Sequence, residues 1–170
     1  MSESLRRLFD FPDPVNELAA RTVAACVVVL TVAYVATGWF PILAFGVYGF
    51  WARVLTGPTL SPIGRLATRV VAPALEARGV RAHYSPGPPK RFAQGVGTAM
   101  STVALVLHLT GSTTAAAVVV AGITVAATLE SVFAYCLGCT MFGWLMRAGL
   151  ISESVCEACA DLSKRPGFSA

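Results

Sequence analysis

Four of the five cysteines in this chain form two Cys-x-x-Cys pairs near its C-terminal end. The first pair is Cys136 and Cys139, and the second is Cys156 and Cys159. Cysteine thiolates bind soft metals, exchange disulfides or carry sulfane sulfur, and aliphatic side chains do none of these. The two pairs are therefore the most concentrated chemistry in the sequence and its candidate site.

One interpretation of the pairs is a structural zinc site. Sixteen residues separate them, a spacing within the range of four-cysteine zinc sites. Four thiolates leave the metal no open coordination position, so such a zinc would be structural and not catalytic. Zinc on Cys136, Cys139, Cys156 and Cys159 would tie the C-terminal tail to the preceding helix.

The other interpretation is thiol–disulfide or sulfane-sulfur exchange. A Cys-x-x-Cys at a helix N-terminus has a lowered thiol pKa and cycles between dithiol and disulfide. Three acidic residues surround the second pair and disfavour its thiolates. Cys136 or Cys139 is thus the better nucleophile, and Cys156 and Cys159 would resolve. Gly138 would let another backbone approach the first pair closely. Inert packing of the cysteines in apolar helices is the third interpretation.

The rest of the chain is strongly apolar. Of its 170 residues, 55% are hydrophobic and 13% are charged, whereas an ordinary soluble domain has about 25% charged residues. The mean hydropathy is +0.67. This composition predicts an all-α polytopic bundle in a lipid bilayer. The net charge of +4 comes from basic residues beside apolar runs, which favours anionic headgroups and not nucleic acid as the partner.

The apolar runs predict four transmembrane helices, at about 21–39, 41–55, 92–110 and 113–132. Between the second and third spans, apolar residues at helical spacing predict an amphipathic helix over about 61–78. It would lie in the membrane interface or pack against the bundle, and Pro73 would kink or divide it. The predicted organisation is a transmembrane domain over 1–150 and a cysteine-bearing tail over 151–170.

Three boundary features add detail. Asp13 and Pro14 are typical of a helix start, with Asp13 as the cap and Pro14 in the first turn. Residues 85–91 are rich in proline and basic side chains and predict a stiff connector. Because the chain stays apolar beyond the fourth span, that helix either ends near Val132 or continues towards Leu150.

The basic residues predict the orientation in the membrane. They lie before the first span, between the second and third, and after the fourth: Arg6, Arg7, Arg21, Arg53, Arg65, Arg69, Arg78, Arg81, Lys90, Arg91, Arg147, Lys164 and Arg165. The other two connections carry none, so the positive-inside rule predicts that both termini are cytoplasmic. All the cysteines then lie towards a reducing compartment, where structural disulfides are not expected.

Three isolated residues interrupt the apolar runs. Glu130 is an ionisable residue at membrane depth, which makes it a candidate to tune the thiols or relay a proton. The alternative is that it lies near the inner headgroups and pairs with Arg53 or a hydroxyl. His108 is predicted to be a hydrogen-bonded structural residue, and Cys26 a small buried apolar side chain.

Three segments of the chain resemble an uncharacterised bacterial integral membrane family, domain of unknown function 4395. They are Phe9–Glu17, Gly57–Pro62 and Cys136–Cys139. The resemblance covers residues 9 to 145 and implies a small multi-pass inner-membrane protein of a type common in actinobacteria. Members of that family are often found near thioredoxin-like or rhodanese-like proteins, which favours thiol or sulfur chemistry here.

We therefore expect a membrane protein that exchanges thiols or sulfane sulfur with a cytoplasmic partner, such as a thioredoxin-like or rhodanese-like protein. One alternative is a non-enzymatic scaffold whose tail is held by zinc, the one cofactor that the sequence suggests. The other is a small-solute channel or transporter subunit lined by Glu130 and small residues. At this chain length, a transport path would require a homo-oligomer.

Overall fold

The computed structural model describes Phe9, residues 11–156 and Cys159. Apart from one short ribbon, β1 (Val15–Asn16) paired antiparallel with β2 (Tyr84–Ser85), the regular structure of that part is helical. The helices are α1 (Glu17–Thr37), α2 (Phe40–Thr56), α3 (Pro62–Leu66), a π-helical turn (Ala67–Val71), α4 (Ala72–Ala77), α5 (Gly87–Leu109), α6 (Thr113–Phe133), α7 (Leu137–Arg147) and a 3₁₀ turn (Glu153–Val155). The predicted basic residues Arg6, Arg7, Lys164 and Arg165 lie outside the described residues.

Within the described part of the chain, α1, α5 and α6 are long and apolar enough to cross a membrane. Each corresponds to a predicted span. The remaining predicted span, at about 41–55, is the apolar helix α2, which has 17 residues and is shorter than the other three. The all-α membrane class is thus confirmed, with three helices of spanning length.

The first helix starts later than Asp13 and Pro14 predict. The N-cap of α1 is Asn16, whose Oδ1 accepts hydrogen bonds from the backbone N–H groups of Leu18 (2.9 Å) and Ala19 (3.5 Å). The prediction that Asp13 caps this helix is therefore wrong. Asp13 Oδ1 instead accepts a hydrogen bond from the backbone N–H of Gly87 at 3.0 Å.

That contact explains why the predicted connector at 85–91 is partly helical. Gly87 opens α5, and Pro88 and Pro89 follow it in the first turn, where their missing N–H groups would have no helical partner in any case. The N–H of Gly87 still requires an acceptor. Asp13 supplies it, because the β1–β2 ribbon holds the two segments side by side.

Replacing Asp13 by Ala is expected to lower the free energy of unfolding by about 1 kcal/mol, the usual effect of losing a helix cap. Thermal unfolding of the detergent-solubilised protein measures it. Asp13→Asn is the matched control, because the amide oxygen can still accept the Gly87 N–H. Equal losses in both variants would contradict the capping role.

The predicted amphipathic helix at 61–78 is present as α3, the π-helical turn and α4. The π turn lies just before Pro73. The ring of Pro73 displaces the backbone carbonyl one turn earlier, and proline has no N–H to donate. The helix therefore widens at this point and does not break. Ala67 and Ala72 are almost fully buried and pack with Ala19 and Val23 of α1. This helix therefore packs against the bundle, and its position in a membrane interface stays a prediction.

At one end of the bundle, His108 is a structural residue as predicted. Its Nδ1 lies 2.8 Å from the hydroxyl of Tyr34, and Tyr34 is only 3% exposed. The hydrogen bond joins the ends of α5 and α1.

In the middle of the bundle, the backbone of Gly97 approaches the ring of Phe50 so closely that a Cβ would collide with it.

The fourth predicted span ends before the first cysteine pair. Helix α6 stops at Phe133, and Ala134 adopts a left-handed conformation (φ 56°). The chain then enters a separate helix, α7, at Leu137. Cys136 lies directly before that helix, and the break at Ala134 is what places it there.

Candidate functional site

Cys136 is the N-cap residue of α7. Its Sγ accepts a hydrogen bond from the backbone N–H of Cys139 at 3.4 Å, and the thiol of Cys139 donates to the same sulfur at 2.7 Å. Both cysteines are half-buried. The first pair therefore has two sulfurs close enough to form a disulfide, with one of them at a helix N-terminus.

Close packing against α5 fixes this helix start. A Cβ on Gly138 would lie 2.5 Å from Ala93 Cβ and 2.6 Å from Ala93 Cα, a separation that real side chains do not reach. One turn later, Phe142 is buried and its ring lies 5.7 Å from that of Phe92. The close backbone approach that the sequence predicts at Gly138 is thus present.

The two thiols of the first pair have opposite pKa shifts. The hydrogen bond from Cys139 lowers the pKa of the Cys136 thiol, since it stabilises the thiolate, and the positive charge of Lys90 acts in the same direction. The same hydrogen bond, together with burial, raises the pKa of Cys139. The thiolate of Cys136 is therefore more stable than that of Cys139, which lies protonated beside it.

Glu130, in the last turn of α6, forms an ion pair with Lys90 in the first turn of α5. The carboxylate Oε1 and Nζ are 2.6 Å apart, and the side chains are 18% and 12% exposed. The alternative in which Glu130 pairs with Arg53 or a hydroxyl is wrong about the partner, because Lys90 makes that contact. The sequence interpretation used Lys90 only to orient the protein, as one of several basic residues near the headgroups.

Arg53 is the second buried cation of this region, only 5% exposed. Its Nε donates to Gln94 Oε1 at 2.9 Å, and one terminal amino group donates to Ser61 Oγ at 3.4 Å. The guanidinium carbon also lies 4.6 Å from the centre of the Phe50 ring, a favourable cation–π distance. These partners are neutral, and no carboxylate of the described residues forms an ion pair with Arg53.

Two cavities, of about 250 Å³ and about 260 Å³, share three polar side chains in their walls. These are Arg53, Gln94 and Glu130. The first, which we call the N-terminal cavity, is lined in addition by Lys90 and by the segment before α1. The second, which we call the thiol cavity, is lined by Cys136 and by apolar residues of α1, α2, α5, α6 and α7.

The three sequence segments that resemble a known family meet around these polar side chains. Residues of the first segment, including Phe11 and Asn16, line the N-terminal cavity, as do Gly57 and Pro58 of the second. Cys136 of the third lines the thiol cavity. Segments far apart in the chain thus border one site.

The second cysteine pair is oxidised, whereas the two cysteines of the first pair are free thiols. Cys156 and Cys159 are joined by a disulfide, whereas the sequence predicted no structural disulfide among the cysteines. The link encloses only two residues, so it restricts the unfolded chain little.

No three His, Cys, Asp or Glu side chains come together to hold a metal in the part of the chain that the structure describes, and zinc stays an untested prediction.

Sequence reasoning missed Lys90 and Gln94 as members of the site. A signal for Lys90 was available, because a carboxylate in an apolar run requires a cation at the same depth. Lys90 lies just before the third predicted span and Glu130 lies near the end of the fourth, so the topology places both on the same side of the membrane. Gln94 has no such signal, since a glutamine near a helix start is common on any surface. Cys26 is half-buried in α1 and does not line either cavity.

The bundle has three helices that are long and apolar enough to cross a membrane. Its Cys-x-x-Cys begins a further helix beside the Lys90–Glu130 ion pair. These features define a polytopic membrane protein with a thiol site. A family model described as domain of unknown function DUF4395 matches residues 15–147, and the chain belongs to that family. No curated protein and no solved structure matches the chain.

Proposed function

We propose that this protein is a membrane thiol–disulfide exchange protein in which Cys136 attacks and Cys139 resolves. The observation that carries the proposal is the position of Cys136 at the N-terminus of α7, with the thiol and backbone N–H of Cys139 directed at its sulfur. A helix N-terminus stabilises a thiolate, which is the reactive form of cysteine.

The exchange proceeds in two steps. The thiolate of Cys136 attacks a disulfide of a partner protein, forming a mixed disulfide and releasing one partner thiolate. Cys139, 2.7 Å away, then attacks Cys136 Sγ and closes the Cys136–Cys139 disulfide, and its proton passes to the second partner sulfur, which leaves as a thiol. The sequence assigned the resolving step to Cys156 and Cys159. Since Cys139 already lies at the reacting sulfur, we assign the resolving step to Cys139 and not to the tail pair.

The proposed setting is a bacterial inner membrane, with four spans and both termini cytoplasmic. Helix α2, with 17 residues, is about 26 Å long at about 1.5 Å per residue, close to the hydrocarbon thickness of about 30 Å. Trp39 and Trp51 are exposed towards its two ends, as aromatic residues at membrane–water interfaces are. The partner is then a cytoplasmic protein of the thioredoxin-like or rhodanese-like type. Exchange is reversible, so the disulfide form of such a partner oxidises the Cys136–Cys139 pair and its dithiol form reduces it.

The pH dependence of alkylation tests the proposal. Cys136 is expected to react with iodoacetamide with a midpoint below the ordinary cysteine pKa of about 8.5, because its thiolate persists to lower pH. Cys139→Ser is expected to accumulate a mixed disulfide with a model disulfide, whereas Cys136→Ser forms none at this pair. Mass spectrometry of peptides identifies the modified residue.

Cys26→Ser is the matched control, because Cys26 lies outside both cavities. A Cys136 midpoint at or above that of an ordinary thiol, or equal trapping by both single variants of the first pair, would contradict the proposal. Stoichiometric zinc that is lost in Cys139→Ser would replace it with the scaffold function.

A further inference from the structure

The thiol cavity has a polar end and an apolar body. Cys136, Arg53 and Gln94 border it at one end, near the start of α5, and Phe50, Met100 and Ile123 line its interior. Its volume of about 260 Å³ is close to the lower limit of small-molecule sites, about 300 Å³. A ligand of the size of one or two rings fits that space.

Hydrogen-bond donors are available at the polar end. Arg53 uses Nε and Nη1 for Gln94 and Ser61, and its Nη2 group has no acceptor among the described residues. The amide N–H groups of Gln94 have no acceptor in that part of the chain either. No fully buried side-chain N or O atom of the described residues lacks a hydrogen-bond partner, so these donor groups retain some access, and they can donate to an acceptor atom of a ligand in the cavity that Arg53 and Gln94 line.

We propose that the thiol cavity binds a lipophilic quinone, and that the dithiol of Cys136 and Cys139 reduces it. The inference rests on the proposed thiol exchange, run in the direction in which a partner dithiol reduces the Cys136–Cys139 disulfide, and names the acceptor of those electrons. A quinone matches both parts of the cavity, since its carbonyl oxygens accept hydrogen bonds and its ring and chain are apolar. A lipophilic quinone is also soluble in the bilayer, which a hydrophilic acceptor does not enter.

The reaction balances without another reagent. The Cys136 thiolate and the Cys139 thiol form one disulfide bond between the two sulfurs, and the bond from sulfur to hydrogen in Cys139 breaks. The two electrons pass to the quinone, whose two oxygens take up the Cys139 proton and one proton from water, which gives a quinol. A dithiol partner then reduces the Cys136–Cys139 disulfide by exchange and restores the starting state.

Quinone reduction by the full-length protein in detergent tests the inference. The protein is reduced, freed of reductant and mixed with decylubiquinone, whose ring carbons are all substituted so that thiols cannot add to them. We expect loss of the quinone absorbance with up to one quinol formed per Cys136–Cys139 dithiol, and none in Cys136→Ser.

A cavity-filling variant locates the reaction. Ala126 lines the thiol cavity, and Ala126→Leu is expected to slow quinone reduction by about tenfold or more, the effect of losing about 1.4 kcal/mol of binding. Val125→Leu is the matched control, because Val125 is 60% exposed on the same helix. Arg53→Lys is expected to weaken quinone binding as well, since it removes the Nη2 donor and keeps the charge.

Parallel alkylation and disulfide-exchange assays separate the two proposals. Normal exchange at Cys136 without quinone reduction above that of a free dithiol would overturn the quinone site and leave the exchange function standing. If the wild-type protein shows neither disulfide exchange at Cys136 nor quinone reduction, both proposals are overturned. Equal quinone rates in Ala126→Leu, Val125→Leu and wild type, all with normal exchange, would exclude the thiol cavity.

Discussion

Replacing Glu130 by Gln is expected to lower the free energy of unfolding by about 3–5 kcal/mol, the range for breaking a buried ion pair. Lys90 would then remain 12% exposed with no carboxylate partner in the described part of the chain. Because the pair joins the end of α6 to the start of α5, its loss also loosens the region beside the thiols. Chemical unfolding in mixed micelles measures the change.

The double variant Lys90→Met with Glu130→Leu tests whether the loss comes from the charge. It removes both charges and keeps the apolar volume, so most of the stability is expected to return. Glu76→Gln is the matched control, because Glu76 is an exposed carboxylate whose Oε1 accepts a hydrogen bond from Asn16. A Glu130→Gln protein as stable as Glu76→Gln would show that the ion pair contributes little.

Replacing Gly138 by Ala is expected to displace the start of α7 and to lower the free energy of unfolding by about 1–3 kcal/mol, as overpacking does. The added Cβ would lie 2.5 Å from Ala93 Cβ, so the two helices must separate. The separation moves Cys136 away from Lys90 and the thiol cavity. Alkylation of Cys136 is therefore expected to shift to higher pH in this variant, which the midpoint of the rate profile measures.

Two variants make this prediction specific. Adding Ala93→Gly to Gly138→Ala removes one of the colliding atoms, and part of the stability and of the low alkylation midpoint is expected to return. Gly143→Ala lies on the same helix with no atom within 4 Å of the new Cβ. It is expected to be neutral or stabilising by about 0.5–1 kcal/mol. If Gly143→Ala and Gly138→Ala behave alike, the contact with Ala93 has no role.

The apolar runs were sufficient to predict an all-helical membrane protein and its three helices of spanning length, because a helix in lipid must satisfy its own backbone and therefore appears as a long apolar run. The preference for Cys136 or Cys139 as the nucleophile stays a prediction. The distinct roles of these two thiols were not predictable, since they depend on α6 ending at Phe133 and α7 starting at Leu137. A left-handed Ala134 decides that boundary, and alanine gives no sequence signal for such a turn.

Contacts between side chains far apart in the chain were also not predictable from the sequence. Asp13 has the chemistry of a cap, but the helix that it caps begins 74 residues later. Likewise, Glu130 required a cation, and several basic residues lay at a suitable depth. Only the packing of α5 against α6 selects Lys90 over Arg53. Arg53 then becomes available to the cavities, a role that its charge alone does not predict.

The hydrogen bonds to Cys136 Sγ also bear on the reduction potential of the first pair. They stabilise the sulfur as a thiolate, a state that exists only when the pair is reduced, and a disulfide sulfur loses that charge. Stabilising the reduced form raises the potential and makes the disulfide a stronger oxidant. The N-terminus of α7 therefore biases the Cys136–Cys139 couple towards accepting electrons, relative to the same two cysteines in an unfolded chain.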